Sequence, residues 1–97
     1  MLYAVRFYDR PEQLGIRKKY MEAHLAWLEA LSPKILAAGS LRVNDDCNPD
    51  GALWIVDAES ESEVRDIFSD DPFWKNGLRQ QVEIRTWRKA FDKPVII

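Results

Sequence analysis

Tyr3, Val5 and Phe7 alternate with Leu2, Ala4, Arg6 and Tyr8 until Asp9-Arg10-Pro11 breaks the run. That two-residue period predicts a strand over 2–8. The period then lengthens. Leu14, Met21, Leu25 and Leu28 fall within one narrow arc at the roughly 100° per residue of a helix. A helix is therefore expected from about Glu12 to Leu31, with that stripe as its core side. Ser32-Pro33 interrupts it, residues 34–39 read as a last turn, and Gly39 is a natural terminator. A short strand over 40–45 and a longer one over 52–58 follow. Ser60 with Glu63 three positions on has the spacing of a capping box, opening a helix that buries Val64, Ile67 and Phe68. "PFWKNG" (72–77) forms a separate turn closed by Gly77, and residues 80–91 alternate as the last strand.

The resulting order, β-α-β-β-α-β, is that of an α+β ferredoxin-like sandwich: a four-stranded antiparallel sheet with two helices on one face. Residues 1–97 show no linker, repeat or low-complexity tract, so one domain is expected. Such a sheet is normally polar on its open face. Here Leu53 and Ile55 alternate with Ala52, Trp54 and Val56, and strand 2–8 splits the same way, so both faces are apolar. An open face carrying Trp54 and its neighbours would be an interaction patch. A second copy, sheet against sheet, covers it at least cost, which predicts a two-fold homodimer through the sheet face.

Composition narrows the function classes. Apolar residues at 46% and charged residues at 31% describe a globular chain, not a disordered one. A net charge of -2 gives no general attraction to phosphate backbones, so nucleic-acid binding is not expected. No apolar run approaches the roughly 18 residues of a membrane span, and the amino terminus lacks the layout of a signal peptide. No membrane association and a cytoplasmic location are expected. The lone Cys47 allows no internal disulfide and sits in a polar loop as an incidental thiol.

His24 is the single histidine. It lies about 80° from the centre of the Leu14–Met21–Leu25–Leu28 stripe, with Arg17 on nearly the same row and Tyr20 and Trp27 flanking it. A ring at the edge of a core stripe is either a partly buried helix histidine bonded to a carbonyl or water, or a general acid or base facing a cleft. A histidine base needs an orienting carboxylate. Asp71, ahead of Pro72, Phe73 and Trp74, is one candidate; Asp9 is another. Each also has a structural reading as a helix cap.

Residues 46–57, "DCNPDGALWIVD", match a calcium-loop pattern except for the final glutamate. Because 52–58 reads as a strand and Asn48-Pro49-Asp50-Gly51 as a turn, a hairpin is favoured. Arg85, Arg88, Lys89 and Lys93 around Trp87 read as a solvated edge. There is no Gly-rich phosphate loop, Cys/His metal cluster or serine-nucleophile motif, so no cofactor and no metal are expected.

Arg17, His24 and Leu25 in an R-x6-H-L helix, then Ala37-Ala38-Gly39, then Asp71-Pro72-Phe73 with Gly77 shortly after, together resemble the YCII-related (YciI-like) domain family, over roughly residues 1 to 91. The resemblance implies ferredoxin-like subunits paired as a dimeric α+β barrel. It also implies an active centre of one histidine, falling on His24, and one aspartate, falling on Asp71. A few relatives are linked to dehydrohalogenation or isomerisation of ring-derived compounds. The expected function is therefore a cofactor-independent lyase, dehydrohalogenase or isomerase acting on a small organic molecule. Arg17 would hold an anionic group, and Tyr20, Trp27, Phe73 and Trp74 would wall the pocket. The alternatives are a dimeric small-molecule binding module without turnover, and an interaction protein.

Overall fold

The computed structural model describes residues 1–31 and 33–94; Ser32, at the expected helix break, lies outside the described residues. The chain runs β1 (Leu2–Asp9), α1 (Leu14–Ala30), β2 (Ile35–Leu41), β3 (Gly51–Asp57), α2 (Glu61–Ser69), α3 (Pro72–Lys75) and β4 (Arg79–Trp87). The sheet order is β2-β3-β1-β4, with every neighbouring pair antiparallel. This is the ferredoxin-like α+β sandwich, with α3 as a short third helix.

Alternation in β1 sets the inner face. Val5 stands opposite Trp54 on β3 and Ile84 on β4, and Phe7 opposite Ala52 and Val82. Cross-strand partners share a face, so Trp54 turns inward with Val5. It is 1% exposed, with its ring 4.6 Å from Phe7 and 5.7 Å from Trp27. The expectation that Trp54 marks the open face is thus corrected: Leu53 and Ile55 point that way instead. Leu53 and Trp87 remain well exposed there.

Two further expectations change. Residues 35–41 are strand, not a last helical turn, because Ile35 pairs with Val56 and completes the core at the sheet's edge. That strand ends at Leu41, so residues 42–45 belong to a loop. In α1, Leu25 is largely exposed while Arg17 and His24 are the buried residues. The row seven residues apart, with Trp27, Leu28 and Leu31 beside it, meets the sheet; of the leucine–methionine stripe Leu28 packs on the core, Leu14 and Met21 are half-buried, and Leu25 faces out. Polar residues occupy that inner row because each has a charged partner, as described below.

Local signals hold elsewhere. The Ser60 hydroxyl accepts the Glu63 N–H at 3.1 Å, opening α2. The Glu63 carboxylate reaches back to the Glu59 N–H at 2.7 Å; that bond, and then Lys34, hold its pKa below the ordinary value. Gly51 starts β3 where an added Cβ would collide with the Phe7 carbonyl, so the hairpin requires glycine there. Gly77 closes α3 at φ 79°, in the left-handed region.

Phe7 is fully buried at the centre of the aromatic cluster, touching Trp54, Phe68 and Trp74. Phe7→Ala is expected to cost about 3–5 kcal/mol of folding stability, read from the midpoint of a urea titration.

Candidate active site

Two turns of α1 carry Arg17 and His24 onto one row facing the sheet. His24 is only 6% exposed. Its Nδ1 lies 2.7 Å from Asp71 Oδ1, a contact between residues 47 positions apart. The same Asp71 oxygen accepts the Phe73 N–H at 3.0 Å and so caps α3, with Pro72 at the first helical position. Capping and histidine pairing, alternatives in the sequence, are here done by one carboxylate. The Phe73 ring stacks on the imidazole at 3.9 Å with an interplanar angle of 12°, which holds the ring's plane. His24 Nε2 has no hydrogen-bond partner among the described residues.

Asp9 does not reach His24, nor does it cap α1, whose N-cap is Gln13. It joins two arginines instead: Arg17 Nη2 donates to Oδ2 and Arg79 Nη1 to Oδ1, each at 2.7 Å. All three side chains are nearly inaccessible. The guanidinium of Arg79 lies 4.7 Å from the Phe7 ring centre and 5.2 Å from that of Phe73; Arg17 sits 5.3 Å from Phe73. Burial lowers the Arg79 pKa, opposed by its bond to Asp9 and by the charges of Asp9 and Asp71. The Nε atoms of both arginines and Asp71 Oδ2 are buried without a partner among the described residues.

A cleft of about 180 Å³ opens in front of this cluster. Met21, Leu25, Leu28 and Trp54 give it apolar walls, and Arg17, His24, Arg42 and Arg79 give it polar ones. A second hollow, lined by Asp9, Glu12, Asn48 and Asp50 among others, meets it at Arg17 and Pro49. Of the residues singled out in the sequence, Arg17 and His24 line the cleft, Asp71 lies behind the imidazole, and Phe73 beneath it. Tyr20, Trp27 and Trp74 line neither hollow. Trp27 packs on Trp54, and Trp74 on Phe68 at 4.6 Å, so the tryptophans serve the core rather than the pocket wall.

Arg79 was invisible to periodicity. Val82 and Ile84 face inward, so regular alternation would turn residue 79 outward. A register shift pairs Tyr8 with Gln81 but Asp9 with Arg79, skipping Gln80 and turning the arginine in. Arg42 follows β2 at the cleft's rim, bonded to Ser40 Oγ at 3.1 Å; no motif marks it. The calcium-loop pattern does not form such a loop: Gly51–Asp57 is strand, and Asp57 pairs with the amino terminus at 3.2 Å. Among the described residues no group of three or more acidic, histidine or cysteine side chains is placed to hold a metal ion. No described helix is long and apolar enough to cross a membrane.

A family model, the YCII-related domain, matches residues 1–88. The chain belongs to the YCII-related domain family. This YCII-related chain is 32% identical to the protein YciI of Escherichia coli O6:H1, over 94% of its own length and 100% of that protein's. It is also 30% identical to a Haemophilus influenzae protein over the same shares. Among solved structures it resembles 5-chloro-2-hydroxyhydroquinone dehydrochlorinase (TftG) from Burkholderia phenoliruptrix, determined in complex with 2,5-dihydroxybenzoquinone. That match has 35% identity and a TM-score of 0.83, covering 93% of this chain and 96% of that one. SnoaB, a cofactor-independent oxygenase from Streptomyces nogalater, shares the fold at 15% identity and a TM-score of 0.53, covering 95% and 96% of the two chains.

Asp9 is the shared counter-charge of two buried arginines. Asp9→Ala is expected to destabilise the domain by about 3–5 kcal/mol, measured by chemical denaturation, because it leaves both cations uncompensated.

Proposed function

We propose that this YCII-related domain is a cofactor-independent acid/base enzyme that eliminates or isomerises a small, ring-derived organic substrate. The observation that carries the reading is the 2.7 Å contact of His24 Nδ1 with Asp71 at the back of a cleft. With Asp71 ionised, Nδ1 donates its hydrogen to the carboxylate, and the Nε2 lone pair is left to accept a proton. The stacked Phe73 ring and the α3 cap hold both partners in place. Likeness to TftG, a dehydrochlorinase by name, supports the substrate class and the reaction type.

In this reading His24 Nε2 removes a proton from a ring hydroxyl or from a carbon beside a carbonyl. The electrons left behind form a new double bond. In an elimination the halide departs with its bonding pair; in an isomerisation the proton returns at another carbon. Asp71 keeps the imidazole in the working tautomer and stabilises the imidazolium, and Arg17 holds an anionic group of the substrate. Assistance of this kind typically contributes about 10²–10⁴-fold.

We also propose that two copies pair through their open sheet faces. On that face Leu53 and Trp87 are well exposed and Leu2 is half-buried, an apolar patch that a monomer would leave to water.

Halogenated hydroquinones provide the activity test, with halide release as readout. Wild type is expected to turn over at least one of them and His24→Asn none. Asp71→Asn should lose roughly 10²–10⁴-fold in kcat. Asparagine still caps α3 but removes a buried negative charge, so circular dichroism is to show the variant folded at the assay temperature before its kcat is read. A compound that binds wild type and is never consumed would point to a binding module instead. For the pairing, sedimentation should report a dimer in wild type and a monomer in Leu53→Asp; a monomeric wild type refutes it.

A further inference from the structure

The cleft's charge is unlike that of the chain. The protein carries a net charge of -2, yet the cleft is lined by three arginines and His24 and by no carboxylate. Two of those arginines are built in rather than incidental. Arg17 and Arg79 are 6% and 5% exposed, and come from α1 and β4, elements far apart in sequence. Each spends one Nη on Asp9. The Nε of each is buried with no partner among the described residues. One carboxylate thus anchors two guanidiniums and leaves a buried donor of each unspent.

Donors of this kind, desolvated and held in fixed planes, are costly unless an acceptor meets them. The acceptor that suits them is an anionic oxygen, which guanidinium engages through charge-assisted bonds. The cleft has room for a ring: a cavity of about 150 Å³ takes one benzene, and this one measures about 180 Å³. Met21, Leu25, Leu28 and Trp54 supply apolar surface for the ring.

We infer that Arg17 and Arg79, yoked by Asp9, form an anion receptor, and that the ligand is a single six-membered ring bearing an ionised oxygen: a phenolate, enolate or carboxylate. Arg79 is thereby a substrate-binding residue and Asp9 the positioning residue that holds it. The inference rests on the cleft being the substrate site. It does not require His24 to transfer a proton, so an unreactive probe separates the two claims.

The probes are benzoate and its neutral counterpart benzamide, titrated into the full chain at low salt and followed by NMR. Wild type should prefer benzoate by roughly tenfold or more. The Arg17 and Arg79 Nε–H resonances should move with benzoate and not with benzamide. Arg79→Gln should bring the preference close to parity, and Arg79→Lys should restore part of it, since lysine keeps the charge without the fork. A merely structural role for Arg79 would weaken both probes together. Equal binding of the two by wild type overturns the receptor, as does an unchanged preference in folded Arg79→Gln. Should Arg79→Gln fail to fold, the wild-type preference and resonance shifts decide alone. A receptor that passes while no halogenated hydroquinone is consumed leaves the anion site standing without the proposed chemistry.

Discussion

A buried charge must find an opposite one, and the seating of α1 follows from that requirement. The helix turns Arg17 and His24 towards the sheet and leaves Leu25 largely in water, a rotation away from the one its leucines and methionine suggest. The inversion is tolerable because both inner residues meet carboxylates at 2.7 Å, Asp9 from the end of β1 and Asp71 from the start of α3. Apolar packing alone would not favour this rotation of the helix. Ion pairs of this sort add little net stability against well-packed hydrophobes, but they penalise other orientations, since turning the helix strands Arg17, Asp9 and Asp71 and leaves His24 without its hydrogen-bond partner.

Asp71 shows how local and tertiary demands converge. As the N-cap of a four-residue helix its conformation is set by the Phe73 N–H and by Pro72. A capping carboxylate already locked in place needs no further ordering to receive an imidazole, so the histidine contact adds almost no side-chain entropy cost. The same turn brings Phe73 beneath the ring it orients. Cap, acceptor and stacking platform thus come from three consecutive residues, Asp71 to Phe73.

This division explains which parts were legible beforehand. Signals confined to neighbouring residues read correctly: alternation in β1 and β3, the Ser60–Glu63 cap, Gly77 at the end of α3. His24, Asp71 and Arg17 were legible as candidates because residue type and spacing suffice to nominate them. What could not be read depends on partners distant in the chain. The strand character of residues 35–41 is decided by Val56 across the edge, overriding a local pattern that suits a helical turn. The inward side of β3 is decided by its register against Val5. Arg79 enters the cluster through a one-residue shift in the β1–β4 ladder, which no single-strand periodicity contains. Tyr20, Trp27 and Trp74 were drawn into the pocket by their chemistry, whereas packing against Trp54 and Phe68 places the two tryptophans in the core.

The charge count around the cleft ties the cluster to the proposed chemistry. Arg17, Arg42 and Arg79 line the cleft with His24, while Asp9 and Asp71 stand behind that wall as partners of the arginine pair and the imidazole. In the proposed reaction a proton arriving on His24 adds one positive charge there, and it comes from a substrate which becomes negative by one. Charge is therefore redistributed between groups already facing each other rather than created in a low-dielectric pocket, where isolating it would be expensive. The unspent donors of Arg17 and Arg79 lie on the same cleft as the imidazole, so the negative end of the transfer meets fixed dipoles that need not reorganise. An overall charge of -2 conceals this arrangement, because the carboxylates that outnumber the cations lie elsewhere than on the cleft wall.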